Sequence, residues 1–243
     1  MPWYFAVVES RHELQNPTSA DKIRLLGERL DLDASSHVLD VASGRGGPAL
    51  ILARELGCQV TCVERAEDFH RAAQERVRAA GLEDRIELVH GDAHAFPLED
   101  GRYDAALCLG ASFVWNGLAG TIRALTPAVR DGGFVAVGEP YWRRWPLPDG
   151  FEPEEGEDFV TLPETVAVFE DAGLEPVTLI ASSEDDWDRY ETLHWLAGEE
   201  WLHANRGDPD APEIARRITH YRDRYLRWQR ELLGWAIVAG RKR

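Results

Sequence analysis

The sequence predicts an α/β protein built on a mostly parallel sheet with helices on both faces. Short β-branched or apolar runs alternate with helical stretches, the pattern of strands buried from both sides. One run, His37-Val-Leu-Asp-Val41, passes straight into Ala-Ser-Gly-Arg-Gly-Gly-Pro-Ala49, so a strand ends in a glycine turn that opens a helix. At 243 residues, 44% of them hydrophobic, the chain can bury the core of one α/β domain carrying insertions, expected to span residues 1–243.

In chain order, residues 9–17 read Glu-Ser-Arg-His-Glu-Leu-Gln-Asn-Pro and precede an amphipathic helix. Thr18 or Ser19 caps that helix, which buries Ile23, Leu26 and Leu30. Residues 1–30 are thus expected to form an N-terminal cap. Strands are expected at 37–41, 59–64, 86–90, 104–109, 133–138, 176–181 and 235–239. Helices at 47–56, 69–80, 118–128 and 163–172 lie between them, each ended or followed by glycine or a polar turn. About fifty residues separate the last two strands and hold two further helical patterns, 187–204 and 211–232. Residues 182–233 are read as an inserted helical lid.

Gly44, Gly46 and Gly47 remove Cβ atoms where the backbone turns sharply, and they expose main-chain N–H groups to a ligand. Gly44-x-Gly46-x-x-Ala49 also fits a loose dinucleotide fingerprint, and Glu64, twenty residues on, suits a ribose in either kind of site. No Gly-Lys-Ser/Thr follows, which excludes a P-loop. Taken with the Asp40 that precedes the glycines, the string Leu-Asp-Val-Ala-Ser-Gly-Arg-Gly resembles motif I of class I S-adenosylmethionine (SAM) dependent methyltransferases. Val60-Thr-Cys-Val-Glu64 and Ile86-Glu-Leu-Val-His-Gly-Asp-Ala93 match the next two motifs in order, and Leu125-Thr-Pro-Ala-Val-Arg-Asp-Gly-Gly133 resembles the family's approach to strand five.

That resemblance implies a Rossmann-like sheet of order 3-2-1-4-5-7-6 with the last strand antiparallel and the helical insertion between strands six and seven. It also implies SAM as cofactor. Carried over residue by residue, the cofactor set is Asp40, Ala42, Ser43, Gly44, Gly46, Glu64 on the ribose hydroxyls, Arg65, Asp92 against the adenine amino group, Ala93, Leu109 and Gly110.

A net charge of −16, with 43 acids against 27 basic residues, would repel a polyanion, so nucleic acid is not the expected substrate. Leu109-Gly-Ala-Ser112 stands where base-modifying adenine methyltransferases carry Asn/Asp-Pro-Pro-aromatic, and Cys108 follows Leu107 rather than proline. The three cysteines, Cys58, Cys62 and Cys108, fall in expected strands and point to a reducing compartment. Cys58-x-x-x-Cys62 reads as core packing, and His37, His90 and His94 have no metal-ligand spacing, so no metal is expected. The apolar start at residues 3–8 is too short for a signal peptide or a membrane span and lacks a basic flank. A cytoplasmic protein with no membrane partner is expected; nothing in the sequence sets its oligomeric state.

The departures from a minimal domain point to a small-molecule acceptor. In the insertion, Tyr190, His194 and Trp201 share one broad helical face with Trp187 and Leu193 beside them. After strand five comes Gly138-Glu-Pro-Tyr-Trp-Arg-Arg-Trp, expected as a loop at the carboxyl edge where ligands bind. Glu139, Tyr141 and Trp142 would then lie near the transferred methyl group. The acidic run 151–158 reads as a solvated loop. In related methyltransferases the N-terminal segment folds over the cofactor, which makes Tyr4, His12, Gln15 and Asn16 candidates for closing the site.

Catalytic candidates are Glu139 or His12 as base and Tyr141 or Trp115 facing the sulfonium through its π cloud; Tyr4, Trp115, Trp142, Trp187, Tyr190 and His194 are candidates for the acceptor pocket. The Glu-Pro-Tyr-Trp and Trp-Asp-Arg-Tyr segments resemble a bacterial group of mostly uncharacterised small-molecule methyltransferases. Two other readings stay open on the residues alone: a SAM-binding sensor or structural protein without turnover, and a nicotinamide-dependent oxidoreductase.

Overall fold

Seven strands form one sheet in the order β3-β2-β1-β4-β5-β7-β6. They are β1 (His37–Val41), β2 (Gln59–Glu64), β3 (Ile86–His90), β4 (Tyr103–Leu109), β5 (Val129–Trp142), β6 (Leu174–Ala181) and β7 (Leu233–Lys242). β7 runs antiparallel to both of its neighbours, and the other pairings are parallel. The computed structural model describes residues 2–243, with side chains from Tyr4 onward. Met1, the first residue of the expected cap, lies outside the described residues.

Two apolar layers sandwich the sheet. Val38, Val60, Leu107 and Ile237 leave one face and meet α2 (Ala20–Arg29), α3 (Gly47–Glu55) and α4 (Glu67–Ala80) through Ile23, Leu52 and Val77. Leu39, Val63, Cys108 and Val238 leave the other and meet α5 (Leu118–Leu125) and α6 (Leu162–Asp171) through Ile122 and Phe169. This strict alternation is the period of two that every strand imposes. Ser19 is the N-cap of α2, accepting a hydrogen bond from the Lys22 backbone N–H at 3.3 Å.

Before α2 stands a helix the sequence did not announce, α1 (Pro2–Val8). Seven residues are too few to hold a helix alone. Val8 and Tyr4 bury against Ile214 and Ile218 of α8 (Ala211–Arg224), and each buried aliphatic side chain contributes about 1.5–3 kcal/mol. The insertion itself consists of α7 (Glu184–Ala204), α8, a π-helical turn (Tyr225–Gln229) and a last short turn into β7. Ser183 and Asp186 form a capping box at the start of α7, and Lys22 of α2 pairs with Asp186.

The largest departure from expectation is β5, which runs on through Glu-Pro-Tyr-Trp to Trp142, paired with β7 as far as Trp142↔Leu233. Pro140 cannot donate to a ladder, yet it lies within the strand. Here the Trp142 N–H points away from β7 to the Val160 carbonyl, so by period two the Pro140 nitrogen points to the same edge, where β4 has already ended at Leu109↔Gly138. The missing donor faces no strand.

Gly198 is where α7, α8 and α1 come closest, since a Cβ there would collide with Ile218 Cδ1 and lie 3.6 Å from Val8 Cγ1. Gly198→Val should therefore cost about 1–3 kcal/mol by overpacking. The melting temperature should drop by roughly 2–4 °C per kcal/mol, whereas Gly207→Ala, with nothing within 4 Å of its Cβ position, should leave it unchanged. An unaltered melting point in Gly198→Val would contradict this packing.

Candidate active site

The carboxyl edge of β1 and β2 is shaped by a run of left-handed backbone: Ala42 has φ 50°, Gly44 56° and Gly46 71°. For Ala42 that conformation is strained, of order 1–3 kcal/mol, and such strain collects at functional loops. Glu64, at the end of β2, is buried and fastens the loop. Its carboxylate accepts the Gly44 N–H at 2.8 Å and the Ala66 N–H at 2.6 Å. Each oxygen accepts one main-chain N–H and keeps a lone pair for another donor. Asp40, 2% exposed, has an Oδ2 without a partner, and the Ser43 hydroxyl is likewise unanswered. Burial, with Glu64 nearby, pushes the Asp40 carboxyl up to about 7. Asp92 accepts the His94 N–H at 2.9 Å and lies 3.5 Å from exposed Arg65, while Ala93 is buried. Asp40 Oδ2 and the Ser43 hydroxyl are thus buried polar atoms of this loop without a protein partner.

The N-terminal segment closes on this loop. Gln15 Oε1 accepts the Arg45 N–H at 2.6 Å, and Asn16 Nδ2 donates to the Leu109 carbonyl at 2.9 Å. At Gly44 and Gly110, both with positive φ, a Cβ would collide with Gln15 and with Asn16 respectively. Only glycine admits both the turn and the overlying side chain.

Behind the segment lies a second cluster. Gln15 Nε2 donates to Glu9 Oε2 at 2.6 Å. Glu9 Oε1 accepts from the Tyr190 hydroxyl at 3.4 Å and lies 3.8 Å from His194 Nε2, and Glu191 is 3.9 Å from His194 Nδ1. Burial would lower His194, but Glu191 and Glu9 outweigh it and raise the imidazole to about 9. His12, its ring centroid 4.5 Å from that of His194, goes the other way: burial first, then the charge of His194, lowers it to about 4. Its Nε2 is 2.9 Å from the Tyr190 carbonyl, which can only accept, so Nε2 carries the hydrogen and buried Nδ1 is a bare, unpartnered acceptor. A cavity of about 200 Å3 opens beside this cluster, lined by Tyr4, Trp187, Tyr190, Glu191, His194 and Trp195 among others.

The structure thus brings His12, Tyr4, Trp187, Tyr190 and His194 together, and it places the four remaining candidates elsewhere. Trp142 is core, 2% exposed against Phe151 and Phe159. Glu139 and Tyr141 are strand residues rather than loop residues, and they leave β5 on the face opposite Trp142. Burial pushes Glu139 up to about 7 where it faces Ser112, and the Tyr141 ring covers Gly234. Trp115 packs against the apolar layer under α5. The 143–161 loop joins the insertion rather than the N-terminal segment, through Glu154–His220 at 2.7 Å and the Glu157–Arg224 pair. Glu9, Glu191 and Trp195 escaped the sequence reading. Residues 187, 190, 191, 194 and 195 form one i, i+3, i+4, i+7, i+8 face, and that spacing would have found the last two.

A family of methyltransferase domains matches residues 38–133. The chain is 32% identical over 243 residues to the uncharacterized protein YjhP of Escherichia coli (strain K12), with 98% of each covered. A SAM-dependent methyltransferase from Geobacter sulfurreducens, crystallised with S-adenosyl-L-homocysteine (SAH), is 35% identical and superposes with a TM-score of 0.91 over 100% of this chain and 99% of that one. The chain belongs to the class I SAM-dependent methyltransferases. Its cofactor is SAM, which removes the dinucleotide reading of the glycines. The 27-O-demethylrifamycin SV methyltransferase of Amycolatopsis mediterranei (strain S699) is 29% identical over 196 residues, 77% of this chain and 69% of that one.

For this methyltransferase the raised Asp40 makes a pH prediction. Its folded value lies above that of the unfolded chain, so the unfolded state loses its proton first and stability falls as pH rises from 3.8 to about 7. Without cofactor, Asp40→Asn should melt higher than the natural protein at pH 8, with a smaller gain at pH 5, while binding SAM more weakly. Calorimetric melts at the two pH values decide it, and an equal gain at both would refute the assignment.

Proposed function

We propose that the enzyme transfers the SAM methyl group, without a metal, to a small-molecule acceptor enclosed between the N-terminal segment and the inserted helices. The observation that carries this reading is the continuous link from Glu64 through Gly44 and Gln15 to Glu9, Tyr190 and His194, which joins the cofactor loop to the aromatic cavity. Glu64 holds the ribose hydroxyls and Asp92 the adenine amino group, flanked by Arg65 and Ala93. Asp40, Ala42, Ser43, Gly44, Gly46, Leu109 and Gly110 line the methionine portion. When bound, SAM supplies a sulfonium-activated methyl group that needs no activation by the protein.

The protein's task is then to hold the acceptor in line and exclude water, and such positioning is worth about 7–11 kcal/mol. Tyr4, Trp187, Tyr190 and His194 form the acceptor walls. His12, neutral and with its bare Nδ1 buried, stands behind Tyr190 and His194 rather than on the cavity wall, so it positions those two walls and transfer relies on alignment of the acceptor. Among the described residues no three His, Cys, Asp or Glu side chains cluster to hold a metal ion. Support for a small molecule over a nucleic acid comes from the net charge of −16, and the rifamycin relative's named acceptor is a small molecule. No described helix is long and apolar enough to cross a membrane.

Glu64→Ala should weaken SAM binding at least tenfold in calorimetry, since hydrogen bonds to a charged group are worth about 1.5–3 kcal/mol each. Unchanged affinity in a folded variant would remove the ribose assignment. Adding SAH should also slow hydrogen exchange over residues 9–18, which overlie Gly44 and Gly110, and leave 143–160 unaffected. If 9–18 gains no protection, the segment does not close over the cofactor.

A further inference from the structure

We propose that the acceptor is a small molecule carrying an ammonium group, which Glu191 and Glu9 bind among the rings of Trp187, Trp195, Tyr190 and Tyr4, while the methyl goes to a separate atom of the same molecule that keeps its lone pair. This rests on the reading above that the 200 Å3 cavity holds the acceptor. Its first support is the local charge. Glu9 and Glu191 are nearly buried, their side chains 8% and 13% exposed, and they face a single imidazole, His194, at 14%. Arg45 stands at the Glu9 end, its Nη1 on the Glu9 backbone carbonyl at 3.0 Å, whereas the ion-pair partner of Glu191 among the described residues is His194, raised to about 9 and shared with Glu9. A buried charge without a partner is costly, by several kcal/mol, so the site favours a ligand that supplies the missing cation.

No lysine or arginine lines the cavity to fill that role. Arg217, over the Tyr4 ring at 5.4 Å, pairs with Glu213 at 2.7 Å instead. Gln15 gives Glu9 one hydrogen bond but no charge.

The second support is the wall chemistry. Two indoles and two phenols around a space of this size are what an ammonium prefers after carboxylate, through the negative faces of the rings. Trp187, 7% exposed, lines the cavity with its indole N–H unpartnered, and the indole N–H of Trp195 is unpartnered too. An ammonium cannot answer these N–H donors, so the ligand they fit carries an acceptor oxygen as well as the cation. A carboxylate ligand would meet two carboxylates, and a neutral one would leave the charge uncompensated. The acidity of the whole chain raises the local concentration of cations besides.

The test is calorimetry on the full-length, SAH-loaded enzyme at pH 7.5 with three probes of one shape: 2-phenylethylamine, 2-phenylethanol and 3-phenylpropanoate. The amine should bind at least tenfold more tightly than the alcohol, and the propanoate more weakly still. In Glu191→Gln the amine's advantage over the alcohol should shrink at least fivefold while SAH affinity changes less than twofold. An alcohol or propanoate that equals the amine overturns the cation and leaves the cavity reading standing. An advantage that survives intact in Glu191→Gln also overturns it. If SAH binds but none of the three probes does, the cavity reading falls together with it. Should Glu191→Gln fail to fold, the three probes on the natural protein still decide.

Discussion

One primary amide holds the two halves of this active site together. Gln15 uses its carbonyl on the Arg45 N–H and its NH2 on the Glu9 carboxylate, each at 2.6 Å, so a single side chain spans from the glycine turn to the buried acid. Neither end could be served by a charged residue. An acid would repel Glu9, and a base would have no acceptor for the Arg45 N–H. The same residue also explains Gly44, because the amide lies where a Cβ would stand. Through this amide the glycine turn, the Glu9 carboxylate and, beyond it, the Tyr190 hydroxyl and His194 imidazole form one connected set.

The site is costly to fold without its ligand. Ala42 is held left-handed, Asp40 and Ser43 carry unanswered polar atoms, and Glu9 and Glu191 share one imidazole. These costs are local and the compensation is not. It comes from the sheet layers, where Val38, Leu39, Leu107 and Ile237 are entirely buried, and from the clamp between α2 and α7 at Lys22 and Asp186. A ligand that answers the orphan groups recovers that cost as binding energy, which is how strained, desolvated sites favour the loaded state.

The strands that carry the motifs were legible to the residue: β1 and β2 are runs buried on both faces, and β3, at the sheet edge, is a short apolar-rich run bounded by turn residues. What misled was composition standing in for geometry. Glu-Pro-Tyr-Trp reads as a loop because it follows the expected end of strand five, yet pairing with β7 carries the strand on, and a proline whose nitrogen faces an empty edge does not interrupt it. Trp142 and Trp115 were drawn toward the site by being aromatic, although one packs under β5 and the other under α5. Glu9 was invisible for a different reason: its burial depends on α1, α7 and Gln15 meeting, contacts separated by up to 181 residues that no local pattern encodes.

Topology forces those contacts to the cofactor. β6 is parallel to the motif strands and leaves at their carboxyl edge, whereas β7 is antiparallel and must enter from that same edge. A hairpin would suffice to join them, so everything inserted between Ala181 and Leu233 is obliged to lie over the crevice. The N-terminal segment arrives there by the same logic, since α2 packs beside α3 and descends to feed β1 from the amino edge, which puts Ser19 and all that precedes it at the top. The two additions meet where both begin: Ser182 against the Pro17 carbonyl, Arg189 against that of Thr18. The aromatic cavity beside them is thus a consequence of how the two chain segments meet, and its chemistry is set by the few side chains, Glu9 and Glu191 first, that each segment turns inward.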